Sequence, residues 1–324
     1  MKNYKLFSVI FFMLSCSTVY KNTGQMVAGR NVAALESPTN CSDSVSPFIA
    51  AQNDLTDAEK EILSKLMQEM RSLMGENIYG VPKNTAFNMD KVFVAELRKK
   101  IKTLNQSQLN ELENIMSRSV KGLFPKYTTG GSTYDIEDVK KMYIRMNFHF
   151  VDHPSSRIIL WHELDHVIDA ILKKRFSTKS FETSAFSAQY DYTRKIFAID
   201  DLEGLKKEFT TDIPAELVER LKNVGVIFMK ENVYNINLVR FAELSQEKDV
   251  IKDYYDFINR TTLNPFFIYM LENALTMNKP DFIKSSLEPY RVTILKERVM
   301  KILKFGSVPV AAYFIYKTLF EDNE

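Results

Sequence analysis

Residues Arg157–Phe176 read RIILWHELDHVIDAILKKRF and enclose His162-Glu163-Leu164-Asp165-His166. Positions i and i+4 share a face of an α-helix, so both imidazoles can point at one metal ion with Glu163 beside them. Leu160, Leu164, Val167 and Ile171 recur at helical spacing and predict a core stripe, leaving His162, His166 and Asp169 on another side. A ligand face with a buried back is what a rigid site requires. With only 4 His in 324 residues, chance is a poor account of this pairing around a Glu.

The residue types suit one chemistry. Neutral imidazoles bind Zn²⁺, which lowers the pKa of a coordinated water towards about 7, and a neighbouring carboxylate can take the proton as that water attacks a carbonyl. A catalytic zinc takes three protein ligands, so a third is needed. Asp169 and Leu172 stand where a continued HExxHxxGxxH motif would have Gly and His, and no His lies further downstream. A carboxylate must therefore serve. Glu182 falls far enough along for the first helix to end near Phe176 and a second to return. On that second helix, Phe181–Phe197, it shares a face with Ala185, Phe186 and Gln189, and small Ala185 permits close approach. Asp191 is the rival ligand. Tyr190, Tyr192 and Arg194 are nearby donors for a developing oxyanion, and the sequence singles out none of them.

HELDH at 162–166 followed by Glu182-Thr183-Ser184-Ala185-Phe186 resembles the gluzincin branch of the zincin metallopeptidases, in which HExxH on one helix is joined by a Glu from the next. The resemblance covers about Met142–Tyr192. It implies His162, His166 and Glu182 as Zn²⁺ ligands, Glu163 as general base, and a peptide or protein substrate. Thermolysin-like members carry Asp four residues after the Glu ligand, where this chain has Phe186; Asp169 is placed to orient a ligand imidazole instead. Two other readings use the same residues: a non-catalytic zinc-binding or scaffold lipoprotein of the cell envelope, and a zinc amidase acting on cell-wall peptide.

Length and composition set the frame. At 324 residues, 45% hydrophobic and 26% charged, the chain can bury a large core, and its net charge of +2 gives no case for a nucleic-acid partner. Residues 1–15 read as a lipoprotein-type signal peptide: Lys2 and Lys5 precede the short apolar run Leu6–Leu14, and Met13-Leu14-Ser15-Cys16 resembles a bacterial lipobox. Cys16 is then the lipidated residue, anchoring the protein to a bacterial envelope membrane, with ordinary cleavage after Ser17 as the other reading; either places the protein outside the cytoplasm. Of the two Cys only Cys41 remains free, so no intrachain disulfide is expected. Residues 16–53 are rich in Ser, Thr, Asn and Gly and read as a flexible tether.

Residues 54–130 are expected to form a helical region. Thr56-Asp57-Ala58-Glu59 opens a helix to Met74, followed by Met89–Leu104 and Ser107–Val120 with Leu, Val, Ile and Met stripes. Residues 131–324 should form a zincin-like catalytic region with a C-terminal helical lobe. Gly130-Gly131-Ser132 reads as a mobile loop. Met142–Val151 alternates Met142, Ile144, Met146, Phe148 and Phe150 with Tyr143, Arg145, Asn147 and His149, the pattern of a half-buried strand. His153 reads as a loop residue, and Ser155 or Ser156 as the cap of the metal helix. Downstream helices are expected at Pro214–Asn223, Asn235–Glu247, Val250–Ile258, Pro265–Met277, Pro280–Phe305 with a break near Pro289, and Val308–Phe320. The fold class expected is α+β, predominantly helical, with a small sheet.

Overall fold

The computed structural model describes residues 55–75, 83–122, 130–136, 138–147, 150–172, 177–223, 227–228, 234–235 and 248–297. The expected leader, Cys16, the tether, Cys41, Phe148, His149 and the helix at 308–320 lie outside them. In chain order the elements are α1 (Asp57–Met74), α2 (Lys83–Ile101), α3 (Gln106–Arg118), β1 (Val120–Gly122), β2 (Gly131–Tyr134), β3 (Tyr143–Asn147), α4 (Ser155–Ile171), α5 (Thr178–Ile196), α6 (Leu202–Glu208), α7 (Ala215–Asn223), β4 (Ile227–Phe228), β5 (Tyr234–Asn235), α8 (Lys248–Ile258), α9 (Asn264–Thr276) and α10 (Lys279–Leu287). A π-helical turn, Asn259–Leu263, joins α8 to α9, and a 3₁₀ turn, Glu288–Tyr290, follows α10. The described fold is mostly helical with a small three-stranded sheet, as the composition of its segments leads one to expect.

Local chemistry accounts for the helix boundaries. The Thr56 hydroxyl accepts from Glu59 N while the Glu59 carboxylate accepts from Thr56 N, closing the expected capping box. Asn105 and Gln108 repeat the device on α3. Gly75 ends α1 at φ 83°, a left-handed conformation that suits glycine; a Cβ there would lie 2.1 Å from Asp152 Oδ1.

Helix α4 is the axis of the molecule. Every residue from Ser155 to Ile171 is buried, so the expected split between a core stripe and a polar face is replaced by packing on all sides. Helices α1, α2, α3 and α5 and strands β2 and β3 all touch it, and one continuous core runs from Leu55 on the N-terminal side to Leu275 in α9. Trp161 stacks on Tyr192 at 5.3 Å and meets Phe93 edge-on, also at 5.3 Å.

A helix buried this deeply must satisfy its polar groups internally. Arg157 is 1% exposed: its guanidinium donates to Met74 O and Gly75 O, the orphan carbonyls at the end of α1, and pairs with Asp90 at 3.3 Å. Neither serine caps α4. The N-cap is Pro154, with no side-chain acceptor; the Ser156 hydroxyl donates to Met74 O and the Ser155 hydroxyl meets His153 Nδ1 at 2.6 Å. Both serines already lie inside the helix, where neighbouring elements claim their hydroxyls.

The sheet has the order β1-β3-β2, with β1 parallel and β2 antiparallel to β3. Strand β3 is shorter than the alternation of Met142–Val151 suggests, yet Ile144 and Met146 are fully buried as that alternation requires. Three other expectations are corrected. Val120 opens β1 rather than closing α3; Asn235, expected to start a helix, ends the strand Tyr234–Asn235, and the rest of that expected helix, 236–247, lies outside the described residues; and Gly131 and Ser132, read as part of a mobile loop, open the edge strand β2. Glycine permits that last placement. A Cβ on Gly131 would sit 2.9 Å from Ile159 Cγ2 and 3.2 Å from Glu163 Cγ, and one on Gly130 would sit 2.3 Å from Ile159 Cδ1. The strand therefore lies directly against α4 beside the motif glutamate.

Candidate metal centre

Helices α4 and α5 form the best-packed pair in the molecule and bring together His162, His166 and Glu182, all buried. His162 Nε2 lies 3.4 Å from Glu182 Oε2, and His166 Nε2 lies 3.7 Å from Glu182 Oε1. The three candidate ligand atoms fall within 4.8 Å of one another, and the imidazole rings stand edge to face at 4.8 Å. Zn–N and Zn–O bonds of about 2.0–2.1 Å in a tetrahedron put ligand atoms roughly 3.3–3.4 Å apart; the two imidazole–carboxylate distances come close to this, while atoms as far as 4.8 Å apart would have to close for the set to hold one ion. Glu182 Oε2 is buried without a hydrogen-bond donor, as an oxygen reserved for a cation would be.

Electrostatics favour a charged carboxylate here. Burial works to raise the Glu182 carboxyl, but His166, His162 and the Tyr290 hydroxyl outweigh it and hold it below the usual range. Burial opposes charge on His162 too, and there Glu182, helped by Glu163 and Asp165, prevails and raises the imidazole. His162 Nδ1 meets Gln189 Oε1 at 3.1 Å, which fixes the tautomer with the proton on Nδ1 and leaves Nε2 as the free donor atom.

This is where Asp169 was expected to act. It does not orient either imidazole: Gln189 serves His162, and His166 Nδ1 has no hydrogen-bond partner. The geometric reason is that Gln189 lies two helical turns beyond Glu182 on the same face of the facing helix. Asp191, the rival ligand, pairs with Lys279 at 2.6 Å on a half-exposed surface. Phe186, in place of a carboxylate, sets its ring 4.6 Å from that of His162.

Each carboxylate of the motif has its own partner. Glu163 Oε2 accepts from the Thr133 hydroxyl at 2.7 Å. Asp165 accepts from Lys100 Nζ at 2.6 Å and the Ser184 hydroxyl at 2.7 Å, and these hold its carboxyl low although burial opposes them. His162 and Glu163 form one wall of a cavity of about 90 Å³; Phe186, Phe266, Tyr269, Met270, Phe282 and Tyr290 line much of the rest.

None of the expected oxyanion donors reaches this cavity. The Tyr190 hydroxyl donates to Met277 O, the Tyr192 hydroxyl to Met89 O, and Arg194 to Ala274 O and Leu275 O. Tyr290, buried beside Glu182 and lining the cavity, was invisible to sequence reasoning because it stands in a 3₁₀ turn remote in the chain. Gln189 was detectable in principle, being on the same face of α5 as Glu182. His153 lies in the loop before α4, as expected, and is buried there: Nε2 lies 3.2 Å from Asn264 Oδ1. Among the described residues no helix is long and apolar enough to cross a membrane. Comparison with protein-family models, curated protein sequences and solved structures brings no match.

Proposed function

We propose that this protein is a zinc-dependent hydrolase of peptide bonds, with His162, His166 and Glu182 as the metal ligands and Glu163 as the general base. One observation carries the reading: a buried His-His-Glu donor set has one of its members, His162, on the wall of a cavity that the adjacent carboxylate Glu163 also lines. A bound Zn²⁺ supplies a Lewis acid that acidifies water and polarises a carbonyl.

The chain's own residues divide the remaining tasks. Glu163, on the cavity wall, takes the proton of the attacking water and returns it to the leaving amine. Gln189 holds the His162 ring. Tyr290 has its hydroxyl within reach of both Glu182 and the cavity, and so is the best-placed donor for negative charge developing on the substrate oxygen. Phe186, Phe266 and Met270 keep the cavity dry, which strengthens each of these interactions. The arrangement fits the gluzincin-like reading of the sequence, and a zincin-like core is part of the proposal.

Metal analysis and peptide-library hydrolysis with the wild type and Glu163→Gln test it. We expect one zinc per chain in both proteins, with hydrolysis in the wild type falling by roughly 100-fold or more in the variant. A zinc-loaded wild type that cleaves neither peptides nor muropeptides refutes the hydrolase and leaves a metal-binding scaffold.

A further inference from the structure

Glu163 is held from outside its own helix. The Thr133 hydroxyl lies 2.7 Å from Glu163 Oε2 and 3.3 Å from the Glu163 backbone oxygen, so its single proton goes to the nearer carboxylate oxygen. Thr133 sits on edge strand β2, opposite Ile144 of β3 in the antiparallel ladder. Two residues earlier on the same strand, Gly131 brings the backbone close enough that a Cβ would stand 3.2 Å from Glu163 Cγ. Strand β2 thus meets the glutamate twice, at its methylene and at its carboxylate.

We infer that Thr133 is a positioning residue that fixes the Glu163 carboxylate by occupying Oε2, on a side chain that lines the cavity. The inference rests on the proposed hydrolase reading. A glutamate side chain has three rotatable bonds, and a base that must meet a water at hydrogen-bond distance loses rate when it samples them. Contact with Gly131 limits the rotations near the backbone, and the Thr133 hydroxyl fixes the last. The same contacts explain why β2 begins with glycine: a side chain at 131 would push the strand, and Thr133 with it, away from α4.

The test compares zinc-loaded wild type with Thr133→Val, which keeps the shape and removes the donor, and Thr133→Ser, which restores it. Loss of a hydrogen bond to a charged group should lower kcat roughly 10- to 100-fold in Thr133→Val, with KM and zinc content unchanged. Thr133→Ser should recover most of kcat. Crystal structures provide a readout independent of turnover: Glu163 should leave its wild-type rotamer in the Val variant and keep it in the Ser variant. Wild-type kcat in Thr133→Val, an unmoved Glu163, or a Ser variant as slow as the Val variant each overturns the inference while leaving the hydrolase reading intact. An inactive zinc-loaded wild type overturns that reading, and the role of Thr133 with it.

Discussion

His153 makes the acid stability of this fold predictable. The imidazole is 3% exposed, wedged edge-on between Phe209 and Phe267, and bonded to Asn264 and Ser155. Burial, with Arg157 adding repulsion, pushes it down to about 4 against the Asn264 contact, which favours charge. A group whose folded pKa is depressed binds protons more readily in the unfolded chain, so stability is lost as pH falls from the ordinary histidine value towards the folded one. Starting from 6.5 and ending near 4, the loss is small at pH 6.5, about 2 kcal/mol at pH 5 and about 3 kcal/mol at pH 4. Asp165 and Glu182, both held low in the fold, also release stability in acid, so the total slope is not diagnostic. The difference from a variant is. His153→Gln keeps an amide to meet Asn264 and Ser155 and cannot titrate. Urea unfolding followed by fluorescence of Trp161, the only tryptophan, with chelator present so that protons and metal do not compete, should show the wild type losing about 3 kcal/mol more than the variant between pH 7.5 and 4. Equal losses in the two proteins, or an NMR titration of His153 centred near 6.5, would refute the reasoning.

Two further outcomes follow from the contacts around the centre. Gln189→Leu removes the acceptor that fixes the His162 tautomer, so zinc affinity measured by chelator competition should fall roughly 10- to 100-fold without loss of helix content. Lys100→Met strands the Asp165 carboxylate, whose side chain is 7% exposed, with only Ser184 as a donor; chemical denaturation should show a loss of about 3 kcal/mol.

How much of this was legible in the sequence depends on where each constraint acts. His162 and His166 are forced to i and i+4 by helical geometry, and Glu182 to a second helix by the length needed to turn back, so all three could be read as neighbours from the residues alone. Helix α1 was legible through Thr56 and Glu59, because a cap is a local bargain between residues three apart. Strand β2 was not. Gly130-Gly131-Ser132 carries the ordinary chemistry of a loop, and what makes Gly131 a strand residue is the closeness of Ile159 and Glu163, a tertiary fact with no local signature. Ser155 and Ser156 failed as caps for a related reason: the carbonyl of Met74, from a different helix, takes one hydroxyl, and His153 the other. Tyr290 and Thr133 reach the centre from elements that no spacing rule connects to it.

The partners of the acids explain how the packed pair α4 and α5 can carry so much buried charge. Glu163, Asp165 and Glu182 lie close together, yet like carboxylates in a dry interior would repel and take up protons unless each were compensated. Lys100 compensates Asp165 with a full positive charge, which makes that residue a strut between α2, α4 and α5. Thr133 gives Glu163 a neutral donor, which steadies the carboxylate without placing a cation beside it. Among the described residues, Glu182 is met by neither a lysine nor an arginine; its facing groups are two imidazoles and a phenol. A carboxylate so placed, with one buried oxygen lacking a hydrogen-bond partner among the described residues, could hold a cation together with the two imidazoles. On the proposed reading, compensation by ammonium, by hydroxyl and by imidazole sorts three chemically similar acids into strut, base and ligand, and this sorting, more than the HExxH spacing itself, is what the reading rests on.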